Sequence, residues 1–282
     1  MLNTDITIVI NTFNSDEKIF SCLDSIGLNT KIIMIENSNN AEFKQNIEKS
    51  YSNVSCYLTG ENLGYAKGNN FGLSKVKSKF ALILNPDTLL NEKTIKNFFI
   101  SANRYPDFAI IAPAIQEDKD IEKKKQDKNK DLIEVLNVKG FGMFLNIKQF
   151  EDIGYFDDNF FIYFEEIDLC KRLTHDKKKI YLDPSIIINH VGGSSHNKSI
   201  NFEMELSRNW HWMWSTFYYH KKYYGFFFAL TKISLKFFSA LVKIIIYSIL
   251  RNKNKKKIYL QRLSGLFNSI IGKKSWYRPQ IS

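Results

Sequence analysis

The sequence predicts an α/β fold: a mostly parallel central sheet layered with helices, followed by a basic helical tail. Three observations carry this. Short apolar, β-branched runs alternate with helically spaced segments through the first 112 residues. Polar, turn-forming clusters stand at the ends of successive runs. The last 62 of the 282 residues hold 14 Lys and Arg and no Asp or Glu.

The elements follow in order. Residues 5–10 (DITIVI) are a β-branched run between polar residues, a buried strand. Ser15-Asp16-Glu17-Lys18 opens a helix whose apolar positions Ile19, Leu23 and Ile26 share one face. Strands at 31–35, 54–58 and 80–84 alternate with helices at 41–51 and 63–76. A helix at 94–102 and a strand at 108–112 complete the first half. That rhythm argues for a sheet covered by helices on both faces. Residues 116–131 (QEDKDIEKKKQDKNKD) contain Ile121 as their one apolar side chain, which predicts a mobile charged excursion. Ordered sequence resumes at 134–147 and continues to about Tyr224. The expected organisation is a catalytic domain over 1–224 and a membrane-association segment over 225–282.

At 44% hydrophobic and 24% charged residues, composition excludes a wholly disordered chain. The net charge of +11 is uneven: the tail from Lys221 carries +14, and the remainder holds 26 basic against 29 acidic residues. Such asymmetry points to a polyanionic surface, either nucleic acid or anionic lipid. Cys22, Cys56 and Cys170 form no disulfide or zinc pattern, so buried thiols in a reducing compartment are expected. No signal peptide is expected at the N-terminus, where Asp5 precedes a short apolar run.

In open α/β sheets ligands collect beyond the carboxyl ends of the strands. Asn11-Thr12-Phe13-Asn14, Glu36-Asn37-Ser38 and Asn85-Pro86-Asp87 stand there, and residues 61–70 (ENLGYAKGNN) open a helix. Each alone reads equally as turn or cap chemistry. Glycines in the last cluster permit close backbone approach, and a helix N-terminus favours phosphate. Asp87 is the best candidate ligand for Mg²⁺ or Mn²⁺, with an N-cap of the next helix as the alternative. Farther on, an aromatic run at 155–164 leads into Glu165, Glu166 and Asp168. Glu165, Asp168 and Arg172 lie on one helical face, with Glu166 about 100° away. These carboxylates suit general-base work, or simply form an acidic first turn.

In family order, the segments VINTFN (9–14), ENSNN (36–40), ENLGYAKGNNFG (61–72), LNPDTLL (84–90), residues 140–173 and NHVGGSS (189–195) resemble a family 2 glycosyltransferase of the GT-A fold. The resemblance covers roughly residues 5–222. It is nearest to the rhamnosyltransferase-like members of bacterial surface-polysaccharide pathways.

The resemblance implies that Thr12, Asn14 and Glu36 line a nucleotide-base pocket, Glu36 replacing the more usual Asp. Asn62, Gly64, Gly68 and Asn69 would face the ribose and diphosphate. Asp87 would be the metal aspartate of an Asp-X-Asp element whose first position is Asn85 here. His190 matches a further metal ligand of some relatives. Glu165-Glu166 matches a Glu-Asp pair whose second residue is usually the base, leaving Glu166, Glu165 or Asp168 for that role. Arg208 and Asn209 would face the acceptor. The implied chemistry is inverting transfer from a nucleoside-diphosphate sugar to a saccharide or polyprenyl-linked acceptor, with Mg²⁺ or Mn²⁺.

The tail fits that setting. Residues 226–250 are long enough to span a bilayer, but Lys232, Lys236 and Lys243 interrupt them on one narrow stripe. This is the pattern of a helix lying in the membrane interface and not crossing it, and the location expected for the protein is the cytoplasmic face of the inner membrane. A second amphipathic stretch follows at 255–274, and a hairpin packed on the enzyme body or in a homodimer is the alternative. A nucleic-acid-binding protein competes on charge, yet no nucleic-acid motif is present, so no nucleic-acid partner is expected. An inactive nucleotide-sugar-binding subunit competes too, but the retained Asp87 and Glu165-Glu166 oppose it.

Overall fold

The computed structural model describes residues 3–15, 18–115, 132–190 and 198–280. The charged excursion at 116–131 and residues 191–195 of the NHVGGSS segment lie outside the described residues. Contacts divide the chain into two units, one formed by 1–63, 67–156 and 166–197, the other by 64–66, 157–165 and 198–282.

The first unit is the sheet with its helices. Strands β1 (Asn3–Thr12), β2 (Thr30–Glu36), β3 (Val54–Leu58) and β4 (Phe80–Leu84) are joined through α1 (Lys18–Ile26), α2 (Ala41–Ser50) and α3 (Gly64–Leu73). After β5 (Thr88–Leu89) come α4 (Thr94–Arg104), β6 (Phe108–Ile115), β7 (Ile133–Glu134), β8 (Gly142–Asn146), α5 (Glu165–His175) and β9 (Lys179–His190). The sheet order is β3-β2-β1-β4-β8-β6-β9-β5, with β7 on β9. Strands β1–β4, β6 and β9 run one way, and β8 enters antiparallel between β4 and β6. This is the mostly parallel α/β sheet expected from the alternation of elements.

Register explains why the runs are apolar throughout. Ile32, Ile8, Leu82, Phe144 and Ile111 stand side by side across five strands, each fully buried. A strand covered on both faces has no polar side to show, so it reads as a continuous apolar run. Fully burying one such side chain contributes about 1.5–3 kcal/mol.

Two strands carry less obvious signals. β8 follows β7 and a loop containing Gly140 rather than a helix, so its antiparallel direction has no crossover to announce it. β9 is broken by a bulge: Pro113 pairs with Asp183, and the next pair is Ala114 with Ile187. Asp183 holds that bulge, accepting from Ser185 N at 2.8 Å, from Ser185 Oγ at 2.6 Å and from Ser101 Oγ.

The second unit is helical: α6 (Asn201–Tyr224), α7 (Phe226–Ile249) and α8 (Lys253–Ile270). Met213, Phe217, Ala229, Ile233 and Leu266 form its own core. Helix α7 buries only Ala229, Ile233 and Ala240. Phe227, Leu235, Phe238, Val242, Ile245 and Ile249, at helical spacing along one face, are all more than half exposed. Among the described residues, no helix is long and apolar enough to cross a membrane.

Candidate active site

The carboxyl ends of β1–β4 place the polar clusters together. Thr12 and Glu36 are opposite one another in register. Buried Thr12 donates from Oγ1 to Ile35 O at 3.1 Å. The carboxylate of Glu36, only 2% exposed, accepts from Ser38 N at 2.9 Å and Asn40 N at 2.7 Å. The loop after β2 is therefore shaped by its own chain before any ligand arrives. Asn14 sits at φ 49°, and its N donates to Ser38 Oγ at 2.7 Å.

Asn37, which the sequence reading did not single out as a site residue, ties three loops together. Its Nδ2 donates to Asn11 Oδ1, its N donates to Thr12 O at 3.0 Å, and its Oδ1 accepts from Leu63 N at 3.1 Å. Gly68 lies against this knot: a Cβ there would overlap the Asn11 side-chain amide. Asn69 is fully buried and Asn62 half-buried. Gly64 belongs to the helical unit, at φ +75°, where a Cβ would collide with Phe161. There Tyr65 N donates to Phe161 O at 2.7 Å.

The second cluster is Asn85, Asp87 and His190. Thr88 fixes the turn after β4, donating from Oγ1 to Asn85 O at 2.7 Å and from N to the same oxygen at 3.2 Å. Asp87 is 4% exposed. It caps no helix, since α4 begins at Thr94, which removes the alternative drawn from sequence. Antiparallel pairing of Thr88 with His190 brings the imidazole alongside. His190 Nε2 stands 3.3 Å from Asp87 Oδ1 and 3.5 Å from Asn85 Nδ2, with the Phe141 ring stacked on it at 4.8 Å.

One carboxylate and one imidazole are hard and borderline donors that fit Mg²⁺ or Mn²⁺. Ligands about 2.1 Å from one octahedral ion stand about 3 Å apart, close to the Asp87–His190 spacing. Among the described residues no group of three His, Cys, Asp or Glu gathers. A divalent ion here would therefore complete its shell from phosphate oxygens and water.

The third cluster opens α5. Glu166 is half-buried, but its Oε2 is shut off from solvent and, among the described residues, accepts no hydrogen bond. Burial pushes its carboxyl above the usual range, against the opposing pull of the Glu166 and Ile167 backbone N–H groups. Asp168 is fully buried and receives Arg172 Nε at 2.9 Å. Arg172 also donates to Ile153 O at 2.9 Å and to Tyr155 O, so this pair clamps the chain ahead of the helix. Glu165 is buried and groups with the helical unit.

Within that unit Tyr163 and Phe164 have φ of 72° and 70°, immediately before Glu165. Consecutive bulky residues in the left-handed region are strained, and such strain collects at functional sites. Trp212 packs against both rings, at 5.3 and 5.8 Å. Burial raises the Tyr163 hydroxyl pKa, opposed by the charge of Arg208. Asn209 spans α6 and α8, donating to Glu205 O at 2.8 Å and accepting from Arg262 Nε at 2.6 Å.

Comparison with known proteins supplies the family. A low-salt glycan biosynthesis hexosyltransferase, Agl10, from Haloferax volcanii is 26% identical over 198 residues, 62% of this chain and 64% of its own. The chain thus spans just under two thirds of that relative. A mannosyltransferase from Pyrobaculum calidifontis, solved with GDP-Man and Mn²⁺, superposes with a TM-score of 0.57 at 12% identity, covering 96% of this chain and 88% of its own. GalNAc-T7, solved with UDP, GalNAc and Mn²⁺, gives 0.57 at 13% identity, over 66% of this chain and 42% of its own. These two establish the GT-A fold. The model described as Glycosyl transferase family 2 matches residues 7–170, well over half the chain, and the protein belongs to that family.

Proposed function

We propose that the protein transfers a hexose from a nucleoside-diphosphate sugar to a saccharide or lipid-linked acceptor, with inversion at the anomeric carbon. The observation that carries this is the convergence of Asn85, Asp87 and His190 at the carboxyl edge of the sheet, in a family 2 chain. Asp87 and His190 would hold Mg²⁺ or Mn²⁺, with Asn85 beside them. Such an ion, when bound, neutralises charge on the departing diphosphate.

The chain's own residues divide the remaining work. The loops of Thr12, Asn14 and Glu36 form one wall for the base. Asn62, Gly68 and Asn69 face the ribose and phosphates. Glu166 is the base: it accepts the acceptor hydroxyl proton as that oxygen attacks the anomeric carbon and the sugar–diphosphate bond breaks. Its raised carboxyl is better matched to that proton than an ordinary exposed glutamate. Glu165 is the reserve. Asp168, already engaged by Arg172, positions the loop. Motif resemblance supports assigning Arg208 to the acceptor.

Rhamnose as donor sugar and surface-polysaccharide synthesis as the setting rest on motif resemblance. The exposed apolar face of α7 and the acid-free basic tail support peripheral attachment at the cytoplasmic face of the inner membrane.

Glu166→Gln tests the mechanism. It should abolish turnover and leave donor affinity within a few-fold of the parent. Normal turnover in Glu166→Gln together with a dead Glu165→Gln would move the base by one residue.

A further inference from the structure

The helical unit contains a cavity of about 380 Å³, and none of the residues lining it is assigned a part in the proposed transfer. Its volume is within the usual range of small-molecule sites. Trp214 and Tyr218, stacked at 4.9 Å, line it together with Lys221, Lys222, Lys273 and Lys274, beside Asn159, Ser269 and Gly272. The frame is built rather than incidental. Trp214 Nε1 donates to Lys273 O at 2.9 Å, Ser275 Oγ to Asn159 O at 2.6 Å, and Ser269 Oγ to Trp214 O at 3.0 Å.

The charge there is not balanced by the protein. Asp157 takes up Lys222 at 2.8 Å and Tyr218 OH at 3.0 Å. Among the described residues, Lys221, Lys273 and Lys274 pair with no carboxylate. Lysines at helix C-termini are ordinary, because each terminus carries about half a negative charge. Two termini, α6 and α8, offset about one of the three remaining positive charges. The surplus calls for an anion.

Apolar side chains beside the lining residues point to the kind of anion. Lys221 Nζ stands 6.0 Å from the Phe226 ring, which meets Phe227; these two are 37% and 80% exposed, and Ile271, next to the lining residue Gly272, is 49% exposed. Cations set beside exposed apolar side chains suit a phosphate carried on a hydrocarbon. We propose that this cavity binds the phosphate headgroup of an anionic amphiphile, its chains resting against Phe226, Phe227 and Ile271. The site deepens the proposed membrane attachment, and rests on it only for the source of the phosphate.

The test uses the full chain and dihexanoyl phosphatidate below its micelle concentration, titrated calorimetrically beside inorganic phosphate and dihexanoyl phosphatidylcholine. Phosphatidate should bind at least tenfold more tightly than either. Lys273→Ala/Lys274→Ala should weaken it about thirtyfold, since each lysine contributes roughly fivefold near a phosphate surface. Lys253→Ala/Lys256→Ala, which removes equal charge at the start of α8, should stay within twofold. Equal losses in the two double variants, or no binding by the parent chain, would overturn the site. Inorganic phosphate binding as tightly as phosphatidate would assign a free phosphate and overturn the amphiphile. Donor turnover should be unchanged in both variants, so failure here leaves the transfer reading separately testable, and vesicle sedimentation of the parent chain tests membrane attachment by itself.

Discussion

Arg172→Ala should destabilise the protein without touching the proposed chemistry. Asp168 is fully buried and takes the guanidinium at 2.9 Å, while the Arg172 side chain is 23% exposed. Removing one partner of a buried pair costs about 3–5 kcal/mol, and a partly exposed arginine belongs at the low end. The two carbonyls that Arg172 also serves, Ile153 O and Tyr155 O, lie in a loop that water can reach, so their loss adds little. A loss of about 3 kcal/mol results. For a domain of this size each kcal/mol moves Tm by about 2–4 °C, giving a fall of roughly 6–12 °C. Thermal unfolding followed by circular dichroism reads it directly. Phe156 stays anchored by Asn70, whose Oδ1 accepts Phe156 N at 3.0 Å and whose Nδ2 donates to Phe156 O at 2.8 Å. Donor binding should therefore survive at temperatures where the variant is folded. A Tm within 2 °C of the parent would refute the clamp, and with it the assignment of Asp168 to positioning.

Other perturbations separate the remaining roles. Asn37→Ala should cost about 1–3 kcal/mol by releasing Leu63 N–H and Asn11 together, and should raise the donor KM more than it lowers kcat. Because the Glu166 carboxyl is raised and a base works deprotonated, the acidic limb of the kcat profile should lie above the ordinary carboxylate range and vanish with the residue. The sign for stability is opposite: a raised native carboxyl binds more protons than the unfolded chain, so its stabilisation fades as pH rises through its folded pKa. Glu166→Gln should therefore match or exceed the parent's Tm at alkaline pH, and a lower Tm there would contradict the burial argument. Leu235→Gln/Phe238→Gln/Ile245→Gln changes only exposed positions on α7. It should leave Tm unchanged and lower partitioning onto anionic vesicles, at roughly 1 kcal/mol or more per side chain; undiminished binding would remove that face from the attachment surface.

Legibility from sequence followed locality. Strands 54–58 and 80–84 match β3 and β4 residue for residue: β4, buried at every position, is an uninterrupted apolar run, and β3 is a short run bounded by polar residues. β9 has no clear local signal because its bulge, held by Asp183, interrupts the alternation that announces a strand. The Asn11–Asn37 contact spans 26 residues and leaves no local pattern, so the knot that joins the loops had no signal to find. His190 was reachable only through motif resemblance, since its place beside Asp87 depends on the Thr88–His190 pairing across the sheet. The tail lysines illustrate the same limit. Their single stripe was legible, yet the structure sets Lys236 over Trp212 at 5.0 Å and Lys243 over Tyr259 at 5.1 Å, partners that no spacing rule names.

The central claim is that a nucleoside-diphosphate sugar binds the sheet unit through a divalent ion at Asp87 and His190. Thermal stabilisation by a panel of nucleotide sugars, with and without Mn²⁺, measures it most directly. Saturation at a hundredfold over Kd stabilises the folded state by about 2.7 kcal/mol. We expect at least one nucleotide sugar to raise Tm with Mn²⁺ and to lose most of that effect in chelator and in Asp87→Ala. Stabilisation of equal size in Asp87→Ala and in excess chelator, or none by any nucleotide sugar with Mn²⁺ present, would contradict it.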